Sequence, residues 1–376
     1  MGEQRVTPLE LFFDLVFVFG LTQVTTVLSH NPTWSGLGHG LLVLCALWWA
    51  WASYAWLTNV TDANDSLVWG TMLVAMAAMF VAALAVPTAF TTHGVVFGVA
   101  FLIVAVMHPA LYAIAARGDD DLLGAIARIT PWSLAGAALI TTAGFTGESI
   151  RPAFWVAALI VGLVGPLLIG VSGWRVHPAH FVERHGLIVI IAIGESLVAI
   201  GFGARETKLT IGVIAAAVLG FAVVASFWLA YFDFFTIRAE RILTDRTGGR
   251  RTALARDAFT YLHLPMVSGI VLFAFAMKTT LAHIGDELPT VSAVTLCAGP
   301  ALYLLSFVGV RLRVTGHARG GRLVAGILCA ALVPVALVVP AIGALGLVAA
   351  IWLGLHAYEL IWWREARAET RAAPAT

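Results

Sequence analysis

Glu10 and Asp14 stand four residues apart, the spacing that places two side chains on one face of a helix, within the apolar run from Leu9 to Leu28. A second polar group opens a later run: His177, His180, Glu183, Arg184 and His185, followed by an apolar stretch to Gly194-Glu195-Ser196. Further along come Tyr231 and Asp233, Tyr261 and His263, and His356 with Glu359. In an apolar setting such side chains are costly, roughly 2.5–3.5 kcal/mol for each charge at a bilayer centre, so each needs a partner or a cavity. Paired carboxylates with arginine and histidine suit proton or cation handling.

Arg184 and Glu195 share a helix face but are about 16 Å apart at 1.5 Å per residue, so Glu195 must find its partner elsewhere. An isolated acid far from both helix ends suits a proton relay or cation site; the structural alternative is a hydrogen bond that packs two helices. For Glu10 and Asp14 the alternatives are pairing with interfacial arginines, Arg184 among them, or a role in binding. The His177, His180, Glu183 and His185 group has metal-ligand residue types but matches no zinc-protease spacing. With Pro178 in the first turn it reads rather as the start of a helix than as a metal site. Asn59-Val-Thr-Asp62-Ala-Asn-Asp65 offers carboxylates that could hold Mg²⁺ against a diphosphate, or a turn in which Asp65 caps the next helix. His108 reads as a bundle histidine, and Trp48, Trp49, Trp51 and Trp56 as packing or interfacial anchors. No GxxxxGK[ST] loop is present, so ATP hydrolysis is not expected, and Gly194-Glu-Ser196 lacks the second glycine of a nucleophile elbow.

The elements that must position these residues follow from composition. Of 376 residues, 60% are hydrophobic and 11% charged, against about 25% charged in soluble domains. That excludes a soluble or disordered chain, and a net charge of +1 argues against nucleic acid as a partner. Cys45, Cys297 and Cys329 all lie in apolar runs and form no disulfide framework. The first apolar run carries Glu10 and Asp14 and no small-residue cleavage site, so it reads as a retained span.

Apolar stretches near 9–28, 37–58, 66–86, 95–116, 123–143, 152–172, 179–203, 209–235, 256–278, 290–312, 322–340 and 343–363 predict about twelve transmembrane helices in an all-α, polytopic protein. The fifth is interrupted by Arg128 and Pro131. With the N-terminus placed in the cytoplasm, all 22 Lys and Arg residues except Arg151, Arg205, Lys208 and Lys278 fall on the cytoplasmic side. The positive-inside rule then puts both termini there, with an Arg-rich cytoplasmic loop over 237–255 that connects spans or meets anionic lipid headgroups.

The halves resemble one another. Trp51-Ala-Ser-Tyr54 matches Trp228-Leu-Ala-Tyr231, Pro109-Ala-Leu-Tyr112 matches Pro300-Ala-Leu-Tyr303, and Glu10 matches Glu183, at offsets of 177, 191 and 173 residues. Six helices preserve orientation, so residues 1–176 and 177–376 are expected to form two parallel six-helix repeats. Pro109, Pro300 and Pro265, the last beside His263, should each break a helical hydrogen bond. Gly162, Gly165 and Gly170 read as helix-packing surfaces.

Thr7-Pro-Leu-Glu-Leu-Phe-Phe-Asp-Leu-Val-Phe-Val-Phe19 resembles the opening motif of the bacterial low temperature requirement A membrane proteins. The stretch from His180 through Gly194-Glu195-Ser196 to Leu197 resembles their central motif, and Tyr231-Phe-Asp233 and Tyr261-Leu-His-Leu-Pro265 also fit. The resemblance covers roughly residues 5–365. It implies a multi-pass protein of the bacterial cytoplasmic membrane and selects Glu10, Asp14, His180, Glu183, Arg184, His185, Glu195, Asp233 and His263 as site residues. It supplies no substrate, and the family name refers to growth in the cold.

Two functions fit. The first is a secondary transporter without a bound cofactor, its substrate lying between the repeats, Glu195 carrying a proton or cation, and Asp14, Arg184 and His263 gating or binding. The two-half plan is similar to that of the major facilitator superfamily, but the Gly-x-x-x-Asp-x-x-Gly-Arg type of loop is missing after the second span. The second is a membrane-embedded enzyme acting on a lipid or prenyl diphosphate, with Mg²⁺ on Asp62, Asp65 and Asp233 and arginines on the phosphates. Clustering of polar groups in one half of the bilayer favours the second; the repeat and the acid within a span favour the first.

Overall fold

The computed structural model describes residues 5–61, 66–205 and 207–362. Among the described residues eleven helices are apolar and long enough to cross a membrane. In chain order the helices are α1 (Pro8–His30), α2 (Trp34–Thr58), α3 (Ser66–Ala85), α4 (Gly94–Ala115), α5 (Asp120–Gly144), α6 (Arg151–Leu168), α7 (Pro178–Arg205), α8 (Ile211–Phe232), α9 (Phe235–Thr244), α10 (Gly248–Ala255), α11 (His263–Ala282), α12 (Thr290–Thr315), α13 (Gly321–Ala331), α14 (Val333–Ala336) and α15 (Ala341–Trp362). Among the described residues there is no β-strand. The chain is therefore an all-α polytopic membrane protein.

Three places depart from the expected run of spans. The eleventh stretch, 322–340, is α13 and α14, a shorter apolar pair broken at Leu332. Pro334 follows within two residues and cannot donate to the preceding turn. The Arg-rich stretch expected as a loop folds as α9 and α10, because Arg251 donates to the carbonyls of Leu243, Thr244 and Arg246 that the end of α9 leaves unpaired. The fifth stretch is one uninterrupted helix despite Arg128 and Pro131; Asp119 caps it by accepting from Leu122 N–H.

Two compact units emerge. One contains residues up to Val27, Ser35–Arg184 and Leu243–Ala255; the other contains Leu28–Trp34, His185–Ile242 and Arg256 onward. In the first unit α4 packs against α3 and α5, and α5 against α6. The α4–α5 contact is close: Thr141 donates to Gly98 O at 2.8 Å, and a Cβ on Gly98 would lie 2.5 Å from Thr141 Cα. The outward faces of α3 are Leu67, Trp69, Leu73, Val74, Phe80 and Leu84, an exposed apolar surface suited to lipid.

In the second unit α11 packs on α12, and α8 and α13 on α15. Helix α11 is apolar on nearly every face, the pattern of a central helix, and almost all its residues are buried. Where α11 meets α12, Gly269 and Gly299 face each other; an added Cβ on either would lie 2.5–2.6 Å from the other's carbonyl oxygen. Ahead of α11 the chain forms one π-helical turn, Arg256–Tyr261, closed by Leu262 N–H donating to Asp257 O. Pro265, three residues into α11, has no N–H to return to that turn, and the π geometry and break at Leu262 accommodate it.

Candidate functional site

Helix α1 begins with Thr7-Pro-Leu-Glu10, a capping box with proline in the first helical position. Thr7 N–H and hydroxyl donate to Glu10 Oε2 at 2.8 and 3.0 Å, and Thr7 Oγ1 accepts from Glu10 N–H at 3.4 Å. The box gives Glu10 a local partner that sequence reasoning did not assign. One turn on, Asp14 is 1% exposed. Its carboxylate accepts from Trp51 Nε1 of α2 at 2.8 Å through Oδ1 and from Arg184 Nη1 of α7 at 2.8 Å through Oδ2.

Arg184 is wholly buried and binds the start of α1 twice: Nη1 donates also to the Glu10 carbonyl at 2.9 Å, and Nε lies 3.7 Å from Glu10 Oε1. Its Cζ is 5.8 Å from the Trp51 ring centroid. Among the described residues, Nε and Nη2 have no hydrogen-bond partner. His180, one turn before Arg184, brings Nε2 to 3.0 Å from Glu10 Oε1 and 3.3 Å from Oε2. Its other ring nitrogen, Nδ1, is 3.1 Å from Asn59 Nδ2. Asn59, just past the end of α2, also clasps the backbone before α7: Nδ2 donates to His177 O at 3.1 Å and Oδ1 accepts from His177 N–H at 2.7 Å.

Four of the expected site residues, Glu10, Asp14, His180 and Arg184, thus form one buried cluster built from the N-terminal turns of α1 and α7 and the end of α2. Asp14 and Arg184 each lie about 9 Å along their helices from the first helical proline. Trp51 and Asn59 complete the cluster; sequence reasoning placed Trp51 among packing tryptophans and Asn59 in a turn or a Mg²⁺ motif. Only contacts between segments 37 to 121 residues apart disclose their roles.

The other expected residues separate. Glu183 turns to the exposed Val6 N–H at 3.3 Å. His177, ahead of α7, is held below its ordinary pKa by partial burial, then by His180, Arg251 and Arg175. His185 lies in the second unit, its ring 5.3 Å from that of His263 and 5.0 Å from Phe259. His263 is fully buried with both nitrogens engaged: Nδ1 is 2.8 Å from the carbonyl of Ala258 in the π turn and Nε2 is 2.9 Å from Tyr231 OH. A carbonyl can only accept, so Nδ1 carries the proton and Nε2 accepts from the tyrosine. Asp233 sits at the end of α8 and is part-buried. Glu195 is buried near the middle of α7, beside Ser196, whose hydroxyl donates to Ile270 O at 3.4 Å. Glu359 of α15 pairs with Arg322 at 2.8 Å, and His356 Nε2 donates to Ser226 O at 3.1 Å.

Among the described residues no group of three His, Cys, Asp or Glu side chains could hold a metal ion. Asp62 and Asp65 of the Mg²⁺ motif lie outside the described residues. His108 donates to Ser53 O at 3.0 Å, as a bundle histidine should.

Fold and cluster together define a polytopic helical membrane protein that buries two carboxylates, a guanidinium and an imidazole at the starts of two of its helices. Residues 5–357 match the family described as bacterial low temperature requirement A protein, and the chain belongs to that family. It is 34% identical over 310 residues to an uncharacterized protein of Rhizobium meliloti (strain 1021), covering 78% of this chain and 74% of the relative. No solved structure matches.

Proposed function

We propose that the protein is a proton-linked secondary transporter of the bacterial cytoplasmic membrane. The observation that carries this reading is the charge of the buried cluster. Among the described residues Glu10 and Asp14 oppose a single guanidinium, and that group is neutral only when one proton resides on Glu10, Asp14 or His180. A net charge in that setting is expensive, whereas a site that is neutral with one proton and charged without it can be loaded and unloaded. Glu195, buried along the same helix, is the second acid of the pathway, while Arg184 and His263 bind or gate.

The proposed topology counts α13 and α14 as one broken crossing. That gives twelve crossings with both termini on the cytoplasmic side, where most arginines lie. It divides the chain into repeats at 1–176 and 177–376. A buried tyrosine ties each of the pairs α2–α4 and α8–α12, though from non-equivalent members: Tyr54 of α2 donates to Val104 O of α4 at 3.0 Å, and Tyr303 of α12 to Phe227 O of α8 at 2.7 Å.

The test is uptake of candidate solutes into proteoliposomes under an imposed pH gradient. Uptake that follows the gradient and is lost in Glu195→Gln and Asp14→Asn supports the proposal. Gradient-driven uptake that survives Glu195→Gln removes Glu195 from coupling. A ligand-induced thermal shift that needs Mg²⁺ and a diphosphate together, and disappears in Asp62→Asn, turns the assignment to a membrane-embedded enzyme acting on a lipid or prenyl diphosphate. A ligand at a hundred times its Kd stabilises a two-state protein by about 2.7 kcal/mol, enough to register.

A further inference from the structure

The cluster requires one proton for neutrality, and its hydrogen bonds decide where that proton can reside. Asn59 is the residue that decides. Its amide bonds twice to a single residue, giving an N–H to the carbonyl of His177 and taking one from the His177 amide. Exchanging the amide oxygen and nitrogen would set oxygen against oxygen and hydrogen against hydrogen, so the orientation is fixed. The second hydrogen of Nδ2 therefore points at His180 Nδ1, 3.1 Å away, and that nitrogen must offer a lone pair. The ring's single proton is then on Nε2, directed at Glu10. A protonated His180 would set an N–H against the Asn59 N–H and break the clasp on His177.

We infer that Asn59 is a positioning residue which holds His180 as the neutral, Nε2-protonated tautomer, so that the cluster's proton is carried by the Glu10 and Asp14 carboxylates. This deepens the proton-linked reading and rests on it for the identity of the cargo. The charged groups around His180 agree with the assignment. Glu10 of α1 touches Nε2, while Asp14 is engaged by Arg184. On the other side His177, with Arg175 before α7 and Arg251 of α10 acting on it, adds no anion that would favour an imidazolium at Nδ1. A neutral imidazole between the amide and the carboxylate can pass its Nε2 proton to Glu10 only as Nδ1 takes up a proton from solvent or another acid, and that requires Asn59 to release Nδ1. Departure of Asn59 thus couples reprotonation of His180 to release of the backbone that precedes α7.

The test is nitrogen NMR of the full-length protein labelled with ¹⁵N-histidine in lipid nanodiscs at neutral pH, with His180 assigned by loss of its signals in His180→Asn. The expected spectrum gives His180 one protonated nitrogen, Nε2, and one lone-pair nitrogen, Nδ1. Infrared spectra of the same samples should show a protonated carboxylic acid carbonyl that is lost in Asp14→Asn or Glu10→Gln. In Asn59→Asp the new carboxylate accepts from Nδ1, and the lone-pair signal should vanish in favour of an imidazolium. Two protonated nitrogens on His180 in the wild-type protein, or a proton on Nδ1 alone, would overturn the role of Asn59 while leaving proton-linked transport standing. A neutral His180 without any carboxylic acid band from Glu10 or Asp14 would overturn both the carboxylate assignment and the proton-linked reading. The wild-type spectra decide these outcomes even if Asn59→Asp fails to fold.

Discussion

Replacing Arg184 by methionine keeps most of the side-chain volume and removes the guanidinium that contacts Glu10 and Asp14. At an effective dielectric of about 20, a unit charge pair at the observed 2.8 Å is worth roughly 6 kcal/mol before desolvation is counted. Removing one member of a buried pair costs about 3–5 kcal/mol, because the remaining charge stays buried without compensation. With one proton already on the Glu10 and Asp14 pair, one carboxylate would remain uncompensated, so a loss within that range is expected at neutral pH. Uptake of a second proton neutralises it, and the variant's folded state then binds more protons than its unfolded chain. Its stability must therefore fall as pH rises and recover on acidification. Thermal unfolding of detergent-purified protein across pH measures this: the gap between wild type and Arg184→Met should be widest on the alkaline side and close toward acid. Asp14→Asn combined with Arg184→Met should regain most of the loss, since the two sites are in contact and their effects do not add. A variant within about 1 kcal/mol of wild type at neutral pH, or a gap that widens on acidification, would refute the electrostatic account, since both contradict an uncompensated carboxylate.

Other consequences are simpler to check. Tyr231→Phe leaves His263 Nε2 buried without its donor and should cost about 1–3 kcal/mol in thermal or denaturant unfolding, with no change expected at the Glu10 cluster. Gly269→Ala drives a methyl into the carbonyl of Gly299, 2.5 Å away; helix α11 must shift, and a loss of roughly 1–3 kcal/mol should appear as a lowered Tm. His177, held below its ordinary pKa, contributes stability that is complete above about 6.5 and declines as pH falls below it, because the unfolded chain takes up that proton first. His177→Gln should flatten this part of the stability–pH curve, and an unchanged acid-side decline would show that other groups cause it.

The extent of each layer's legibility follows from range. Helices α1 to α8, α11, α12 and α15 could be located from apolar length alone, because backbone groups within a bilayer must be satisfied within their own segment. The start of α1 rests on equally local contacts, a capping box and its proline acting within four residues, although apolar length alone located this helix in the sequence. Local patterning failed where tertiary contacts supply the missing partners. The 237–255 stretch reads as a polar loop, yet Arg251 closes the end of α9 and makes it helical. The 322–340 stretch reads as one span, yet the chain breaks at Leu332 ahead of Pro334.

At the site, residue type and helical spacing already marked Glu10, Asp14, His180 and Arg184, because buried charge is too costly to occur without cause. Their assembly was not legible. A charge in hydrocarbon demands a partner but does not name one, and the sequence offered Arg184 several. Only packing of α1 against α7, 170 residues later, chooses Asp14 as its mate. The same packing brings Asn59 to His180, where the direction of one amide sets the tautomer of a ring 121 residues away. Composition determined that this chain lives in a membrane and must bury a few charged groups there. The tertiary structure decided which of them meet, because hydrogen-bond direction and distance exist only once the helices are side by side.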